Sequence, residues 1–399
     1  MTTADPNTRS GIRRVEPNGA AARIFMSFLA TAGLFYVNIM PAIVDGLIEG
    51  LGFSNGEAGF VGSANVYGAA AGALIIVFIV GRIRWRPVAY ALLAVLIAMD
   101  LLSILVQQPA LMIGTRFVHG VVGGALVGIG FAVIARATSP DRTFGVLLVI
   151  QFGLGGLGNL YLPRLVPIFG TDVLFLSLIA FSLVTAAMVP FLDEYEVTEA
   201  QGLQSAKGVA GAALIPMALT LLATFLFQAA NMGLFAFIIG LGKAAGLTVD
   251  FITWTLALSG WIGIVGAGLV IVLHTRYGRT MPLVVAMILT IAGFWVLNYS
   301  EVASIYLLAN CAMGITWAFV IPYLLGLAAE FDRTGRMAAL GGFASKMGLA
   351  SGPLVGGLLI GGNGNYTLLI IAGIVTMSAS LGACIVPAWR QDHVPSVSD

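Results

Sequence analysis

The sequence contains few charged side chains. Of its 399 residues only 9% are Asp, Glu, Lys or Arg, whereas 59% are hydrophobic, and the mean hydropathy is +0.99. Soluble domains are typically about 25% charged, so this composition excludes a water-soluble protein. The net charge is +1, and no excess of basic residues is present that would indicate nucleic-acid binding.

Residues that support catalysis or cofactor binding are also scarce. The two cysteines, Cys311 and Cys384, lie in apolar runs and predict packing rather than a disulfide. The three histidines, His119, His274 and His393, do not cluster as metal ligands would. The sequence has no glycine-rich loop ending in Lys-Ser or Lys-Thr for ATP phosphates and no nucleophile elbow. We therefore expect no enzyme, no metal and no cofactor, and we expect energy to come from an ion gradient.

Long apolar runs fill most of the chain. A helix needs roughly 20 apolar residues to cross a bilayer core about 30 Å thick. Twelve runs approach this length, at 24–47, 58–80, 88–106, 110–136, 143–168, 172–191, 213–241, 250–273, 281–298, 303–328, 338–361 and 366–388. The sequence predicts an all-α integral membrane protein with twelve transmembrane helices in two pseudo-symmetric six-helix halves. The predicted parts are a tail (1–22), the first half (23–192), a polar linker (193–212), the second half (213–389) and a tail (390–399).

The basic residues are distributed unevenly between alternate loops. Of the nineteen, Lys243 alone falls in a loop on one side, and Arg116, Arg164 and Lys346 lie within crossings. The other fifteen share the side of the two termini: Arg9, Arg13, Arg14, Arg23, Arg82, Arg84, Arg86, Arg136, Arg142, Lys207, Arg276, Arg279, Arg333, Arg336 and Arg390. Basic loops face the cytoplasm, so we expect both termini to be cytoplasmic in a bacterial-type inner or plasma membrane.

One stretch, residues 116–135, combines charge with a ladder of glycines. Arg116 lies near the start of this crossing, where an arginine is expensive unless it faces a partner or a water-filled cavity. His119 lies one turn further along. The glycines, which allow a neighbouring helix to approach closely, are Gly120, Gly123, Gly124, Gly128 and Gly130.

The segment from Arg116 to Ala125 resembles the fourth-helix signature of the major facilitator superfamily, with His119 in place of the usual glutamine. The resemblance implies a transporter in which two halves rock about a central site by alternating access. A second resemblance is to the short basic loop signature of that family, carried by Arg82, Arg86, Arg276, Gly278 and Arg279. The second copy keeps the Arg-x-Gly-Arg core and the first has lost its inner glycine, so a gating role and orientation charge alone both remain open.

Ionisable residues inside crossings are candidates for function. Lys346, about nine residues into the eleventh run, is predicted to contact an anionic substrate, with snorkelling or a fixed ion pair as the alternative. Arg116 is a second candidate for substrate contact. His119, Asp100 and Asp45 are candidates for proton coupling, with Arg116 a possible partner for Asp100 and the membrane interface an alternative place for Asp45.

Polar and aromatic residues on the runs that line the cavity in this family complete the predicted substrate site. They are Tyr36 and Asn38 on the first run, Gln228 and Asn231 on the seventh, and Trp317 on the tenth.

Three functions are open at this point. The first is symport of protons with a small organic, perhaps aromatic, anion, supported by three basic residues within crossings. The position of Gly352-Pro353 also favours symport. This pair resembles a glycine-proline signature that proton-linked drug exporters carry on the fifth helix, and here it lies on the eleventh run, which counts against an exporter. The second is a proton-coupled exporter of drugs or metabolites, which would need Asp45 or Asp100 in the cavity. The third is a transporter-like sensor that moves nothing. The expected partners are the lipid bilayer, the solute and protons, with the protein working as a monomer and without nucleic acid.

Overall fold

The computed structural model describes residues 14–195, 214–273, 276–331, 336–362 and 364–393. Within these ranges the chain is helical, and the single β-type contact is an isolated bridge between Arg276 and Gly278. Most of the predicted linker 193–212 and the outer parts of both predicted tails lie outside the described residues.

Fifteen α-helices follow one another along the described chain. They are α1 (Ala20–Ala32), α2 (Phe35–Asn38), α3 (Met40–Leu51), α4 (Asn55–Ile79), α5 (Trp85–Leu105), α6 (Pro109–Ile134), α7 (Pro140–Phe169), α8 (Asp172–Met188), α9 (Leu214–Ala236), α10 (Ile238–Ala244), α11 (Val249–Leu273), α12 (Thr280–Val296), α13 (Ala303–Glu330), α14 (Arg336–Ile360) and α15 (Tyr366–His393).

Eleven of these helices are long and apolar enough to cross a membrane. They confirm eleven of the twelve predicted runs. The first run differs, because it is divided among α1, α2 and α3. The break between α2 and α3 has a local cause, because Pro41 lies in the first turn of α3. Proline lacks the backbone N–H that would bond the carbonyl four residues earlier, here that of Val37, and the helix restarts after Ile39, whose backbone is not helical (φ −108°, ψ 19°).

The predicted seventh run is interrupted in a similar way between α9 and α10. Phe237 at this break has nearly the same backbone angles as Ile39 (φ −109°, ψ 12°). A side chain from another helix satisfies a backbone carbonyl at each break. Asn159 of α7 donates to the carbonyl of Asn38 at 3.0 Å, and Tyr306 of α13 donates to the carbonyl of Ile238 at 2.9 Å.

The glycines of α6 lie directly against neighbouring helices, as the sequence predicted. A Cβ atom added to Gly120 would lie 1.9 Å from the carbonyl oxygen of Asn65 in α4, and one added to Gly124 would lie 2.0 Å from that of Ala69. The same relation holds in reverse, since a Cβ atom on Gly72 of α4 would lie 1.9 Å from the carbonyl oxygen of Val121. The two helices therefore touch backbone to backbone.

Two helices pack against helices from both sides of the predicted linker 193–212 in the sequence. The helix α14 packs along both α9 and α4, and α11 packs along both α13 and α7. Successive spans alternate in direction, so the links α4–α5 and α11–α12 share one side, which we call the basic side. The turn between α3 and α4 and the link between α10 and α11 share the other, which we call the opposite side.

Candidate functional site

A buried ion pair joins α5 and α6. Arg116 is fully buried, and its Nη1 donates to the Oδ1 of Asp100 at 2.8 Å. Its Nη2 donates to the carbonyl of Met99 at 3.0 Å and to the hydroxyl of Ser103. The predicted partnership of Asp100 with Arg116 is present, and multiple charge-assisted hydrogen bonds offset the cost of burying the two charges.

His119 extends this cluster by one helical turn. Its Nε2 lies 3.4 Å from the same Oδ1 of Asp100, and its Nδ1 lies 2.8 Å from the side-chain nitrogen of Asn65. That nitrogen also donates to the carbonyl of Arg116 at 3.2 Å. Because an amide nitrogen is a donor, Nδ1 accepts, and in the neutral ring the proton is assigned to Nε2, facing Asp100. His119 thus adjoins a carboxylate and is positioned to carry a proton.

Aromatic rings enclose the cluster. The guanidinium carbon of Arg116 lies 5.1 Å from the ring centroid of Phe175 and 5.9 Å from that of Tyr36. The ring of Tyr36 also lies 6.0 Å from that of His119. These contacts leave Arg116 and Tyr36 buried, so direct contact of either side chain with a substrate would require the cluster to open.

A second polar group lies among α9, α13 and α14. The indole Nε1 of Trp317 donates to the Oε1 of Gln228 at 2.7 Å, and the Nε2 of Gln228 donates to the Oγ of Ser345 at 2.7 Å. Two predicted site residues, Gln228 and Trp317, are therefore in direct contact. Lys346 follows Ser345 in the chain.

Lys346 is half-buried and forms no ion pair with any residue in the described ranges. It shares a helix face with Ala350 and Pro353, at spacings of four and seven residues. The face turns toward α4, because a Cβ atom added to Gly59 would lie 2.3 Å from the carbonyl oxygen of Pro353. The side chain of Lys346 thus starts from the face of α14 that meets α4.

The two predicted asparagines have backbone contacts. Asn38 lies at the first break, where its side-chain nitrogen approaches the carbonyl of Gln151 at 3.5 Å. Asn231 is fully buried on α9 and donates to the carbonyl of Phe227 one turn earlier at 3.0 Å. Its Oδ1 has no hydrogen-bond partner among the described residues, which leaves one buried acceptor on this helix.

Ion pairs connect distant segments on the opposite side. Lys243 of α10 donates to both carboxylate oxygens of Asp45 in α3, at 2.7 and 3.0 Å, and lies 3.6 Å from Glu49. Asp45 is thus paired at the opposite side, while Asp100 and His119 form a separate cluster. Lys243 was not predicted as a site residue, because a pair formed across 198 positions leaves no local signal in the sequence.

A second contact on the opposite side joins α7 to α11. The Nε of Arg164 lies 2.8 Å from the hydroxyl of Thr253 and 3.2 Å from the carboxylate of Asp250. Its Nη2 donates to the backbone carbonyl of Asp250 at 3.0 Å. On the opposite side, therefore, one contact joins α3 to α10 and another joins α7 to α11.

The predicted loop residues on the basic side form two compact groups. Arg86 lies 3.2 Å from Glu194 and donates to the carbonyl of Leu192 at 2.5 Å. The other group involves Arg279, which is ion-paired with Glu330 and whose backbone N–H donates to Asp392 at 2.8 Å.

The sharp turn before Arg279 depends on Gly278. This residue has a positive φ of 69°, and a Cβ atom on it would lie 2.7 Å from the carboxylate of Asp392. Glycine is favoured in such backbone. Arg276 contributes a cation–π contact, with its guanidinium 5.8 Å from the Tyr277 ring. Arg82 lies just after α4, at the end of a short 3-10 turn (Val80–Arg82).

A cavity of about 590 Å³ lies between α1 and α7. Its walls are almost entirely apolar and include Phe28 and Leu154, with Arg23 at α1 and Trp261 of α11. The indole of Trp261 donates to the carbonyl of Gly153 at 3.2 Å. Space of this size is in the range of small-molecule pockets.

Eleven apolar spans around buried polar clusters define a multi-pass membrane protein, with the organisation of a transporter. The sequence profile of the Major Facilitator Superfamily matches residues 24–345, and the chain belongs to this family. No curated protein matches the sequence.

Solved structures of the nucleoside transporter NupG have a similar fold. One has a TM-score of 0.70 and 14% sequence identity, covering 94% of this chain and 99% of that one. A point mutant of NupG has a TM-score of 0.67 and 16% identity, covering 93% of this chain and 98% of that one. The likeness at this identity concerns the fold.

Proposed function

We propose that the protein is a secondary transporter with twelve crossings in two halves, 23–192 and 213–389. On this proposal α1, α2 and α3 together form the first crossing, and α9 with α10 forms the seventh. The similar breaks at Ile39 and Phe237 support the pairing of these two crossings as equivalents. The basic side is cytoplasmic, by the excess of basic residues in its loops.

The ion pairs support alternating access. On the opposite side the pairs Asp45–Lys243 and Arg164–Asp250 each join a helix of the first half to one of the second. On the basic side Arg279 pairs with Glu330 inside the second half, and Arg86 pairs with Glu194 at the start of the linker, so neither of these pairs joins one half to the other. This distribution fits a state closed at the opposite side and able to separate at the cytoplasmic side.

The solute that the site favours is an organic anion. The observation that carries this proposal is Lys346, a half-buried cation without an ion-pair partner in the described chain, next to the polar group of Gln228 and Trp317. A cation inside a membrane domain is costly without a counter-charge, and a substrate carboxylate supplies one. The indole of Trp317 provides an apolar wall for an aromatic ring.

The buried carboxylates argue against the exporter of cations. Such a protein needs an available carboxylate in its cavity. Asp100 is paired with Arg116 at 2.8 Å, and Asp45 is paired with Lys243 at 2.7 Å. Both negative charges are already neutralised by neighbouring cations, so neither is available in this state to a cationic drug.

Proton coupling is assigned to His119. Its ring lies 3.4 Å from the carboxylate of Asp100, and histidine is the side chain whose ordinary charge change falls between pH 5 and 8. A proton on His119 adds a second cation beside Asp100 and weakens the hold of that carboxylate on Arg116. The proposal therefore links a proton to the packing of α5 against α6.

The test is proton flux in liposomes that contain the purified protein and an interior pH dye. Benzoate, succinate, uridine and tetraphenylphosphonium would be added in turn. Inward proton flow on adding benzoate or succinate supports anion symport. Outward flow with tetraphenylphosphonium would establish an exporter instead, and the absence of flux with radiolabelled solutes would favour the sensor.

The variant Lys346→Ala separates an anion carrier from a carrier of neutral solutes. We expect it to abolish benzoate-dependent flux, while the matched variant Lys207→Ala in the polar linker retains it. Uridine is included because the similar folds are nucleoside transporters. Uridine-dependent flux that survives Lys346→Ala would replace the anion with a neutral nucleoside as the solute.

A further inference from the structure

The hydrogen bonds from Trp317 through Gln228 to Ser345 run in one direction. An indole N–H is a donor only, so the Oε1 of Gln228, 2.7 Å away, accepts. The amide nitrogen of Gln228 is then turned toward Ser345, whose Oγ accepts at 2.7 Å. Gln228 is 4% exposed, so this orientation of its amide is maintained by one buried hydrogen bond, to Ser345, and one partly buried hydrogen bond, from Trp317.

The hydroxyl hydrogen of Ser345 has no acceptor among the described residues. Two nearby hydroxyls instead donate to a carbonyl, the half-buried Ser351 of α14 to Met347 at 2.9 Å and the buried Ser380 of α15 to Ala223 of α9 at 2.7 Å. Ser345 is only 8% exposed. A buried hydroxyl that accepts one strong bond and keeps its hydrogen free is a polarised donor.

We infer that the Ser345 hydroxyl and the Lys346 ammonium form a subsite for the carboxylate of the substrate, with Gln228 as the residue that fixes Ser345 as a donor. This inference rests on the proposed transport of an organic anion. Neighbouring residues of a helix point about 100° apart, Ser345 toward Gln228 of α9 and Lys346 toward α4, so the long, flexible stem of Lys346 brings its ammonium to the carboxylate that the Ser345 hydroxyl binds. A carboxylate accepts hydrogen bonds at both oxygens. One oxygen takes the neutral donor and the other takes the cation.

The direction of the hydrogen-bonded chain determines which ligands the subsite selects. Because both groups donate, a carboxylate fits, whereas the ammonium of an amine would meet a positive charge and no acceptor. The indole of Trp317 lies at the far end of the chain, packed edge-on against Phe235 with ring centroids 5.6 Å apart. An aromatic acid is therefore favoured over the matching aromatic amine.

The test is binding of benzoate and benzylamine to the purified protein by isothermal titration calorimetry. Ser345→Ala removes the neutral donor and is expected to weaken benzoate binding by about ten- to one-hundred-fold, the loss of one hydrogen bond to a charged group. Ser380→Ala is the matched control, because it also deletes a buried hydroxyl beside α9, and it should leave binding unchanged. Lys346→Met should remove benzoate binding.

Gln228→Glu tests the direction of the chain. A carboxylate at this position accepts from both Trp317 and Ser345, so the hydroxyl of Ser345 turns away from the ligand. Benzoate should bind more weakly and benzylamine more tightly. When Ser345→Ala is already present, Gln228→Glu should reduce the affinity for benzoate by a several-fold smaller factor, because the donor is already absent. If Gln228→Glu does not fold, Gln228→Met is tested in its place. The loss of benzoate affinity that Gln228→Met causes should likewise be smaller when Ser345→Ala is already present.

The outcomes separate this subsite from the transport proposal. Equal benzoate affinity in Ser345→Ala and Ser380→Ala, with binding lost in Lys346→Met, overturns the subsite and leaves anion recognition in place. Additive effects of Gln228→Glu and Ser345→Ala overturn the positioning role of Gln228. If the wild-type protein does not bind benzoate, or if Lys346→Met binds benzoate with wild-type affinity, both the anion proposal and the subsite are overturned.

Discussion

Lys243 and Asp45 are 198 residues apart in sequence, and the ammonium of one contacts both carboxylate oxygens of the other at 2.7 and 3.0 Å. Each residue lies beyond a helix break, Asp45 beyond Ile39 and Lys243 beyond Phe237. The segments α3 and α10, each of which begins after a break in the helical backbone, are thus joined through their charged side chains.

Reversing either charge of this pair should slow transport, and reversing both should restore it. Asp45→Lys or Lys243→Asp places like charges together, which costs several kcal/mol at a desolvated contact, so we expect at least a tenfold lower initial rate of solute exchange in liposomes. The double variant should recover most of that rate. Asp172→Asn, an exposed carboxylate on the same side, serves as the control, and a double variant no better than the singles would contradict the closing role.

Breaking the buried pair of Arg116 and Asp100 should destabilise the protein. Arg116→Ala leaves an unpaired carboxylate in a site where both side chains are almost fully buried, and the cost of such a change is about 3–5 kcal/mol. The measurement is thermal unfolding of the purified protein. Replacing both residues with apolar ones of similar size should recover much of the loss, whereas a double variant as unstable as the single would contradict the explanation.

Replacing His119 with glutamine should preserve the fold and change the pH dependence of transport. Glutamine can accept from Asn65 and donate to Asp100, which lie 2.8 and 3.4 Å from the two ring nitrogens, but it does not titrate. Transport rates measured between pH 5 and 8 should lose one titration step. An unchanged pH profile in a well-folded variant would remove His119 from proton coupling.

Two glycines on α6 should respond in opposite ways to the same substitution. A methyl group at Gly124 would lie 2.0 Å from the carbonyl oxygen of Ala69, so Gly124→Ala must push α4 and α6 apart, at a cost of about 1–3 kcal/mol. Gly114 has open space around it. Gly114→Ala should therefore be neutral or stabilise by up to about 1 kcal/mol, and thermal unfolding of both variants compares them directly.

The sequence predicts most of the spans because hydropathy and length alone require them. It also predicts the close approach along α6, since glycines spaced along one helix have few other uses. The partnership of Arg116 with Asp100 follows from their similar depth on successive spans. In each case the signal is local or involves neighbouring helices.

Features that depend on distant segments were not predictable in the same way. The break at Ile39 has a visible cause in Pro41, yet the run around it remains apolar, so hydropathy shows one crossing. The pairing of Lys243 with Asp45 and the chain from Trp317 to Ser345 depend on how helices far apart in sequence are placed. Composition reveals that such polar groups exist, and the fold decides which of them meet.

The backbone contact between α4 and α6 has a mechanical consequence. Where main chains touch through Gly72, Gly120 and Gly124, no side chains lie between them that could change rotamer and let one helix slide along the other. The two helices should therefore move together as one rigid unit. Any movement that admits a solute must then occur between this unit and its neighbours, at the contact of α4 with α14.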